Sequence, residues 1–288
     1  MVDLHTHTTA SDGMLSPDEL VMKAFDDGIT HLAVTDHDTV AGIQSAAESA
    51  EDLGIELIPG IEISARFREG EVHILGLGID YRNRALLDFI EEMQVNRKTR
   101  NLAILENAAE KGLIKGKPEK LLEERNITGR PHIAALLVEN GSAAGIQNAF
   151  EKYLGFNREL YTPRKLKSPE DVFALIRECR GIPVIAHPNT LMIDNDLDIN
   201  SLTDIFRSWK KSGLEGIEVF HPNIRPAFSR QLRKAANDLY LFTSGGSDFH
   251  NPDYLQKRKL GRWHKNRRVP IGIIEKLKSR LEHQSTAG

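Results

Sequence analysis

The sequence predicts an α/β fold, a barrel or a doubly wound sheet, and three observations carry that expectation. Short runs rich in branched residues alternate with amphipathic helical stretches over residues 1–80 and 168–288. Several helical stretches open on explicit start signals. Histidines and carboxylates recur where the apolar runs hand over to loops, as at the active rim of α/β barrels.

Strands are expected at 2–4, 31–35, 56–63, 72–79, 183–186, 216–220 and 240–243. Ser16-Pro17-Asp18-Glu19 supplies a cap, a proline at the first helical position and a capping-box glutamate. Ser168-Pro169-Glu170-Asp171 starts another helix the same way, with aspartate at the box position. Such alternation favours parallel strands with crossover helices. Residues 65–71 are too few for a crossover, so the third and fourth strands are expected to form a hairpin. From 81 to 167 no strand is evident, and helices are expected at 85–112 (one or two), 131–140 and 143–154. The organisation read is a main domain, 1–80 with 168–288, interrupted by a helical insertion, 81–167.

Bulk properties narrow the function classes. The 288 residues are 40% hydrophobic and 27% charged, with a net charge of −3. That suits a globular chain and gives no global basic field for nucleic acid or anionic membrane. The lone Cys179 has no disulfide partner, and it falls late in a helical run, away from the histidine motifs. The chain opens Met-Val-Asp-Leu-His without a signal-peptide pattern, and no run approaches a membrane span. A cytoplasmic protein is expected.

The chemistry lies in six short motifs: His5-Thr6-His7, Ser11-Asp12-Gly13, Thr35-Asp36-His37-Asp38, Gly60-Ile61-Glu62-Ile63-Ser64, Ala186-His187-Pro188 and Ser247-Asp248-Phe249-His250, with His73 on the fourth strand. Residues two apart on a strand share a face, so His5 and His7 point the same way. Any one histidine could be a hydrogen-bonded rim residue; the recurrence at successive strand ends argues for metal. Thiolates are absent, which excludes a cysteine-type zinc site. Mixed imidazole and carboxylate donors suit Mn, Fe or Zn better than Mg. His5, His7, His37, His73, His187 and His250 with Asp12, Glu62 and Asp248 exceed what one ion needs. Two or three divalent ions sharing a carboxylate are expected, able to hold a hydroxide as nucleophile.

These motifs, in this order, resemble the polymerase-and-histidinol-phosphatase (PHP) family across nearly the whole chain. The resemblance implies a distorted seven-stranded (β/α) barrel with a trinuclear metal centre and phosphoesterase activity. It implies that His5, His7, Glu62 and Asp248 hold one ion, that Glu62 bridges to a second completed by His73 and His187, and that Asp12, His37 and His250 hold a third. Asp36 and Asp38 would orient ligands by hydrogen bonds. Within the family the chain is similar to nucleoside 3′,5′-bisphosphate phosphatases and 5′→3′ exoribonucleases, which share the helical insertion and a segment like Thr128-Gly129-Arg130-Pro131-His132. Arg130 and His132 are therefore expected to bind phosphate.

His221, after the sixth strand, is a further expected substrate contact. Lys257-Arg258-Lys259, followed by Arg262, His264, Lys265, Arg267 and Arg268, is the most basic stretch; it reads either as a solvated face or as a phosphate-attracting one. His31 and His283 are assigned structural or surface roles, and Trp209 a place in the core. The expected activity is hydrolysis of phosphate from a nucleotide or the 5′ end of a short oligonucleotide, with His187 or His250 available to protonate the leaving oxygen. The alternatives are histidinol-phosphate phosphatase, an amidohydrolase (disfavoured because no lysine ends a strand) and a non-catalytic nucleic-acid-binding PHP module. No obligate protein partner is implied.

Overall fold

A computed structural model describes residues 1–124, 129–250 and 258–286, and the chain divides into two compact units, 1–88 with 167–288 and 89–166. In the first unit seven strands line up in chain order: β1 (Val2–Asp3), β2 (His31–Val34), β3 (Glu56–Phe67), β4 (Gly70–Leu77), β5 (Ile182–Ile185), β6 (Gly216–Phe220) and β7 (Phe242–Gly245). β1–β2–β3 and β5–β6–β7 pair in parallel, whereas β4 runs antiparallel to both neighbours. The short loop at 68–69 dictates that reversal, since a parallel partner needs a crossover. β3 runs on to Phe67, beyond its expected end, because Ser64 to Phe67 pair with Gly70 to His73 in the free part of this hairpin.

Backbone bonds also join the chain past the last strand to the chain past the first. Leu4 N–H donates to Gly245 O (3.2 Å), Asp248 N–H to His5 O (2.8 Å) and His7 N–H to Phe249 O (2.9 Å). Thr6 and Phe249 form a parallel bridge. The expected final strand begins two residues late because Tyr240 turns through a left-handed backbone (φ 55°).

Helices follow the strands. α1 (Pro17–Asp26) has the full capping box: Ser16 Oγ accepts from Glu19 N–H (3.2 Å) and Glu19 accepts from Ser16 N–H (2.7 Å). α2 (Ile43–Leu53) packs beside it; Leu20, Val21, Ala24, Ala46 and Ala50 bury against Leu32, Val34 and Phe249. α3 (Arg84–Glu110) is one helix of 27 residues that passes from the first unit into the second.

Three helices of the second unit follow: α4 (Pro118–Glu124), which the sequence reading missed, α5 (Arg130–Glu139) and α6 (Ile146–Ala149). α6 starts later than expected and runs into a π-helical turn, Phe150–Leu154. Ile104, Leu105, Ile133, Leu137, Tyr153 and Leu154 share this unit's own core.

Back in the first unit, α7 (Pro169–Glu178) begins at Ser168, whose box partner is Asp171. Then come α8 (Asn189–Asp194), α9 (Ile199–Lys211), α10 (Pro226–Asp238), a small hairpin of β8 (Arg262–Trp263) and β9 (Arg267–Arg268), and α11 (Ile273–Thr286). Trp209 is buried against Phe67, Phe173 and Phe206. No helix among the described residues is long and apolar enough to cross a membrane.

Candidate metal centre

The strand ends of the first unit converge. His5 and His7 follow β1 and share a face, their ring centroids 5.2 Å apart. His37 follows β2 and bridges in parallel to Glu62 on β3. β4 delivers His73 opposite Ser64, and its antiparallel course brings this residue near the strand's start to the end where the parallel strands finish. His187 follows β5, while Asp248 and His250 follow β7.

Glu62 sits at the middle of the cluster, fully buried. Its Oε2 lies 3.1 Å from His5 Nε2, 3.2 Å from His7 Nε2 and 3.3 Å from His37 Nδ1. Its Oε1 lies 3.0 Å from His73 Nδ1 and 3.1 Å from His187 Nε2. One carboxylate thus faces two sets of imidazoles with different oxygens.

Asp248 is divided in the same way. Oδ1 faces His7 Nε2 (3.3 Å), His250 Nδ1 (3.4 Å) and His5 Nε2 (3.5 Å), whereas Oδ2 meets His221 Nε2 (3.2 Å) and the Arg258 guanidinium. Asp12 Oδ1 lies 3.3 Å from His250 Nε2, and its Oδ2 4.0 Å from His37 Nε2.

Three groups of donor atoms are compact enough to share an ion: His5, His7, Glu62 and Asp248; His37, Glu62 and His73; and His7, Asp12, His37 and His250. The nine expected ligands are therefore together, with His187 joined through Glu62. Their directions fit metal better than mutual hydrogen bonding. His7 Nδ1 and Nε2 and His37 Nδ1 are buried without a hydrogen-bond partner, although oxygens lie close to two of these nitrogens. Lone pairs aimed at a common point give that result: donors around one ion at roughly 2.0–2.2 Å must lie roughly 3 Å from each other.

Electrostatics supports the same fit. Burial works against charge on His7, but Asp248 and Glu62 outweigh it and hold the imidazolium up to about 10. His5 is likewise raised against its burial, by Glu62 and Glu218 first. Burial should raise Glu62 and Asp248. The imidazoles around Glu62, and Arg258 with His5 beside Asp248, instead hold both well below the usual carboxylate range. The cluster keeps its carboxylates ionised and gathers positive charge on His5 and His7, charge that a divalent cation would supply in their place, whereas burial first holds His37 down to about 3 and also lowers His187.

Supporting residues surround these donors. Asp36 accepts from Thr8 N–H and Thr8 Oγ1 (both 2.7 Å) and from Ser11 Oγ (2.6 Å), which fixes the loop carrying Asp12. Asp38 accepts from Ser64 N–H (3.0 Å), two residues beyond Glu62. Asp38, His187 and Asp248 all adopt left-handed backbone, with φ of 51°, 27° and 50°. Strained non-glycine residues of this kind gather at functional sites.

Three residues were missed by the sequence reading. Glu218, buried in the apolar run of β6, accepts from His187 N–H (2.7 Å) and lies 3.1 Å from His5 Nδ1. The only sequence signal was a lone carboxylate inside a strand. Asp3 accepts from Ser247 N–H (2.9 Å), Ser247 Oγ (2.6 Å) and Gly261 N–H (2.7 Å), tying the first strand to the last loop. Arg258 was read as part of a basic run, yet it bonds both the backbone and side chain of Asp248.

Other expectations fare differently. His221 is 1% exposed with both ring nitrogens engaged, Nε2 by Asp248 and Nδ1 by Asn223 N–H. That is the setting of a residue that holds Asp248, not of a solvent-facing substrate contact. Arg130 and His132 lie in the first turn of α5, in the second unit, where Arg130 reaches Leu154 O (3.4 Å). Thr128 and Lys257 fall outside the described residues. Cys179 is buried, and its thiol is pushed up to about 12, first by burial, so it is no nucleophile.

The PHP domain family matches residues 3–166, more than half of the chain. The chain belongs to the PHP family. It is 37% identical over 254 residues to the 5′-3′ exoribonuclease Rnm of Salmonella typhimurium, covering 87% of this chain and 85% of that one. It is 32% identical to the 3′,5′-nucleoside bisphosphate phosphatase of Chromobacterium violaceum, covering 87% of each. Among solved structures, a proposed metal-dependent phosphoesterase from Bifidobacterium adolescentis superposes with a TM-score of 0.83 at 28% identity, covering 97% of this chain and 96% of that one. This PHP protein is a metal-dependent phosphoesterase, and hence a hydrolase, whose fold is a mixed α/β one with a seven-stranded sheet.

Proposed function

We propose that this PHP phosphoesterase removes phosphate from nucleotides such as nucleoside 3′,5′-bisphosphates, or cleaves at the 5′ end of short phosphorylated oligonucleotides. The observation that carries the reading is the division of Glu62 between His5, His7 and His37 on one oxygen and His73 and His187 on the other. A carboxylate so placed suits a bridge between ions, with Asp248 completing one set and Asp12 and His250 a third. Mn, Fe and Zn fit these donors better than Mg. Bound there, two or three such ions would supply an activated water and neutralise the charge on the phosphate.

The chain's own residues then do the positioning. Glu218 fixes the His5 ring through Nδ1, leaving Nε2 to face the cluster. His221 and Arg258 hold Oδ2 of Asp248, so that Oδ1 stays turned toward His5 and His7. Arg258 Nε–H is buried without a hydrogen-bond partner among the described residues. Arg130 and His132 are further proposed phosphate contacts. The backbone bonds between the segments after β1 and β7 support closure of the sheet into a distorted barrel. The nucleotide class is supported by the exoribonuclease and bisphosphate phosphatase relatives.

The test is release of inorganic phosphate from a nucleoside 3′,5′-bisphosphate with added Mn, comparing wild type with Glu62→Gln. Release that vanishes in the variant is expected. A metal-loaded wild type that releases none would remove the nucleotide substrate while leaving the hydrolase, and histidinol phosphate would be the next ester to assay.

A further inference from the structure

A second charged surface lies outside the metal cluster. A groove of about 1620 Å3 runs between α10 and α11 along β6 and β7, and no candidate metal ligand lines it. Seven lysine and arginine side chains border it against two glutamates, Glu215 and Glu275. The whole chain has the opposite balance, 38 basic residues to 41 acidic. This concentration of positive charge is therefore local, and such clefts focus the field on an anionic partner.

The cations differ in how they are engaged. Arg177 and Arg280 both turn to Glu215, at 3.6 and 3.7 Å. Arg230 and Lys276 are exposed and meet no acid among the described residues. Tyr240 is 81% exposed at the groove's edge, with Lys210 Nζ 5.3 Å from its ring centroid. Cations along a track together with an exposed aromatic face suit an unpaired polynucleotide, whose phosphates and bases both need partners.

The groove also extends to the end of β6. Phe220, at the end of β6, lines it and immediately precedes His221. Arg233 lies over the Phe220 ring (5.7 Å), Phe220 meets Trp263 edge-on (5.2 Å), and Arg267 lies over Trp263 (5.8 Å). Two rings in series, flanked by a cation at each end, thus connect the basic β8–β9 hairpin to the groove. α10, with 13 residues, is roughly 20 Å long, the length of about six stacked nucleotides.

We propose that this groove holds the phosphate backbone of single-stranded RNA, as an anchoring site separate from the metal cluster. The choice of RNA over other polyanions rests on the nucleotide reading above. Long single strands then gain affinity that mononucleotides do not.

The experiment measures binding by fluorescence anisotropy, with the full chain in chelator so that turnover is absent. The probes are a labelled oligouridine of about 16 nucleotides and a duplex RNA of equal length. The variants are Arg230→Ala with Lys276→Ala, and Lys120→Ala as an exposed control. The double variant should bind the single strand about tenfold more weakly, with a salt slope smaller by about 1.4. Its Mn-dependent release of phosphate from nucleoside 3′,5′-bisphosphate should equal that of wild type. Unchanged single-strand affinity and salt slope in the double variant overturn the proposal, as does duplex binding equal to that of the single strand. If groove-dependent binding persists in a protein that releases no phosphate from the bisphosphate, the groove stands and the substrate reading falls.

Discussion

Glu218 Oε1 lies 3.1 Å from His5 Nδ1, and the other nitrogen of that ring lies 3.1 Å from Glu62 Oε2. A buried carboxylate on the far side of a ligand imidazole fixes its tautomer and its direction. Glu218 also accepts from His187 N–H, so a single side chain sets two residues of the candidate centre. Glu218→Gln is expected to fold and to need roughly 10–100-fold more Mn for half-maximal phosphate release. A titration of activity against Mn measures this, and a variant with unchanged Mn dependence would leave Glu218 a structural role only.

Gly246 sits where the last loop crosses the first strand. A Cβ there would lie 2.5 Å from both His5 Cβ and His5 N, neither of which belongs to a flexible tip. Gly246→Ala should therefore displace His5 and lower kcat/KM on the order of 100-fold. Gly145→Ala is the control, since a Cβ at Gly145 meets nothing within 4 Å. Equal activity of the two variants would show that the close approach at His5 is not required.

Metal should stabilise the folded chain, because the donor set is assembled only in the native state. Mn at a hundredfold excess over its dissociation constant is worth about 2.7 kcal/mol. The melting temperature should rise by roughly 5–10 °C over that in chelator. Thermal melts with Mn and with chelator decide it, and coincident curves would count against an ion in the cluster.

Cys179 gives a pH prediction that does not involve the centre. Burial, then the charges of Glu178 and Asp80, raise its thiol from 9.0 to about 12 in the folded protein. The folded value exceeds the unfolded one. Its contribution to stability is thus fully present below pH 9 and is lost as pH rises toward 12. At pH 8 a thiol-specific reagent should label Cys179 only after unfolding. Rapid labelling of the native chain would contradict both the burial and the shift.

Much of the centre was legible because its chemistry is concentrated at strand ends, where a histidine has no reason to be apolar core. His5 and His7 declared their shared face by spacing alone, and the hairpin followed from a loop too short to cross over. Glu218 was not legible, since alternation in Gly216–Phe220 reads as a buried strand and only the fold reveals which neighbour its carboxylate meets. Arg258 was hidden by its company, because a run of cations reads as solvated surface until one of them is found against Asp248. His221 was expected to face substrate from its place after a strand; the chain instead turns its ring inward to Asp248 Oδ2. In 81–167 spacing alone did not show α4 and placed the start of α6 three residues early, whereas the π-helical turn ends at Leu154, where the helix was expected to end.

The tie between Asp3 and Ser247 spans 244 positions, whereas Glu62 and His73 are only 11 apart on one hairpin. Contacts so unequal in sequence distance form at unequal times, because long closures are entropically slow. The Glu62–His73 half can assemble while the chain is still open, and the half built on His5 and Asp248 must wait for the first and last strands to meet. An ion held jointly by Glu62, His5 and Asp248 would act as a latch on that late-closing seam, and its departure would set how readily the seam unzips.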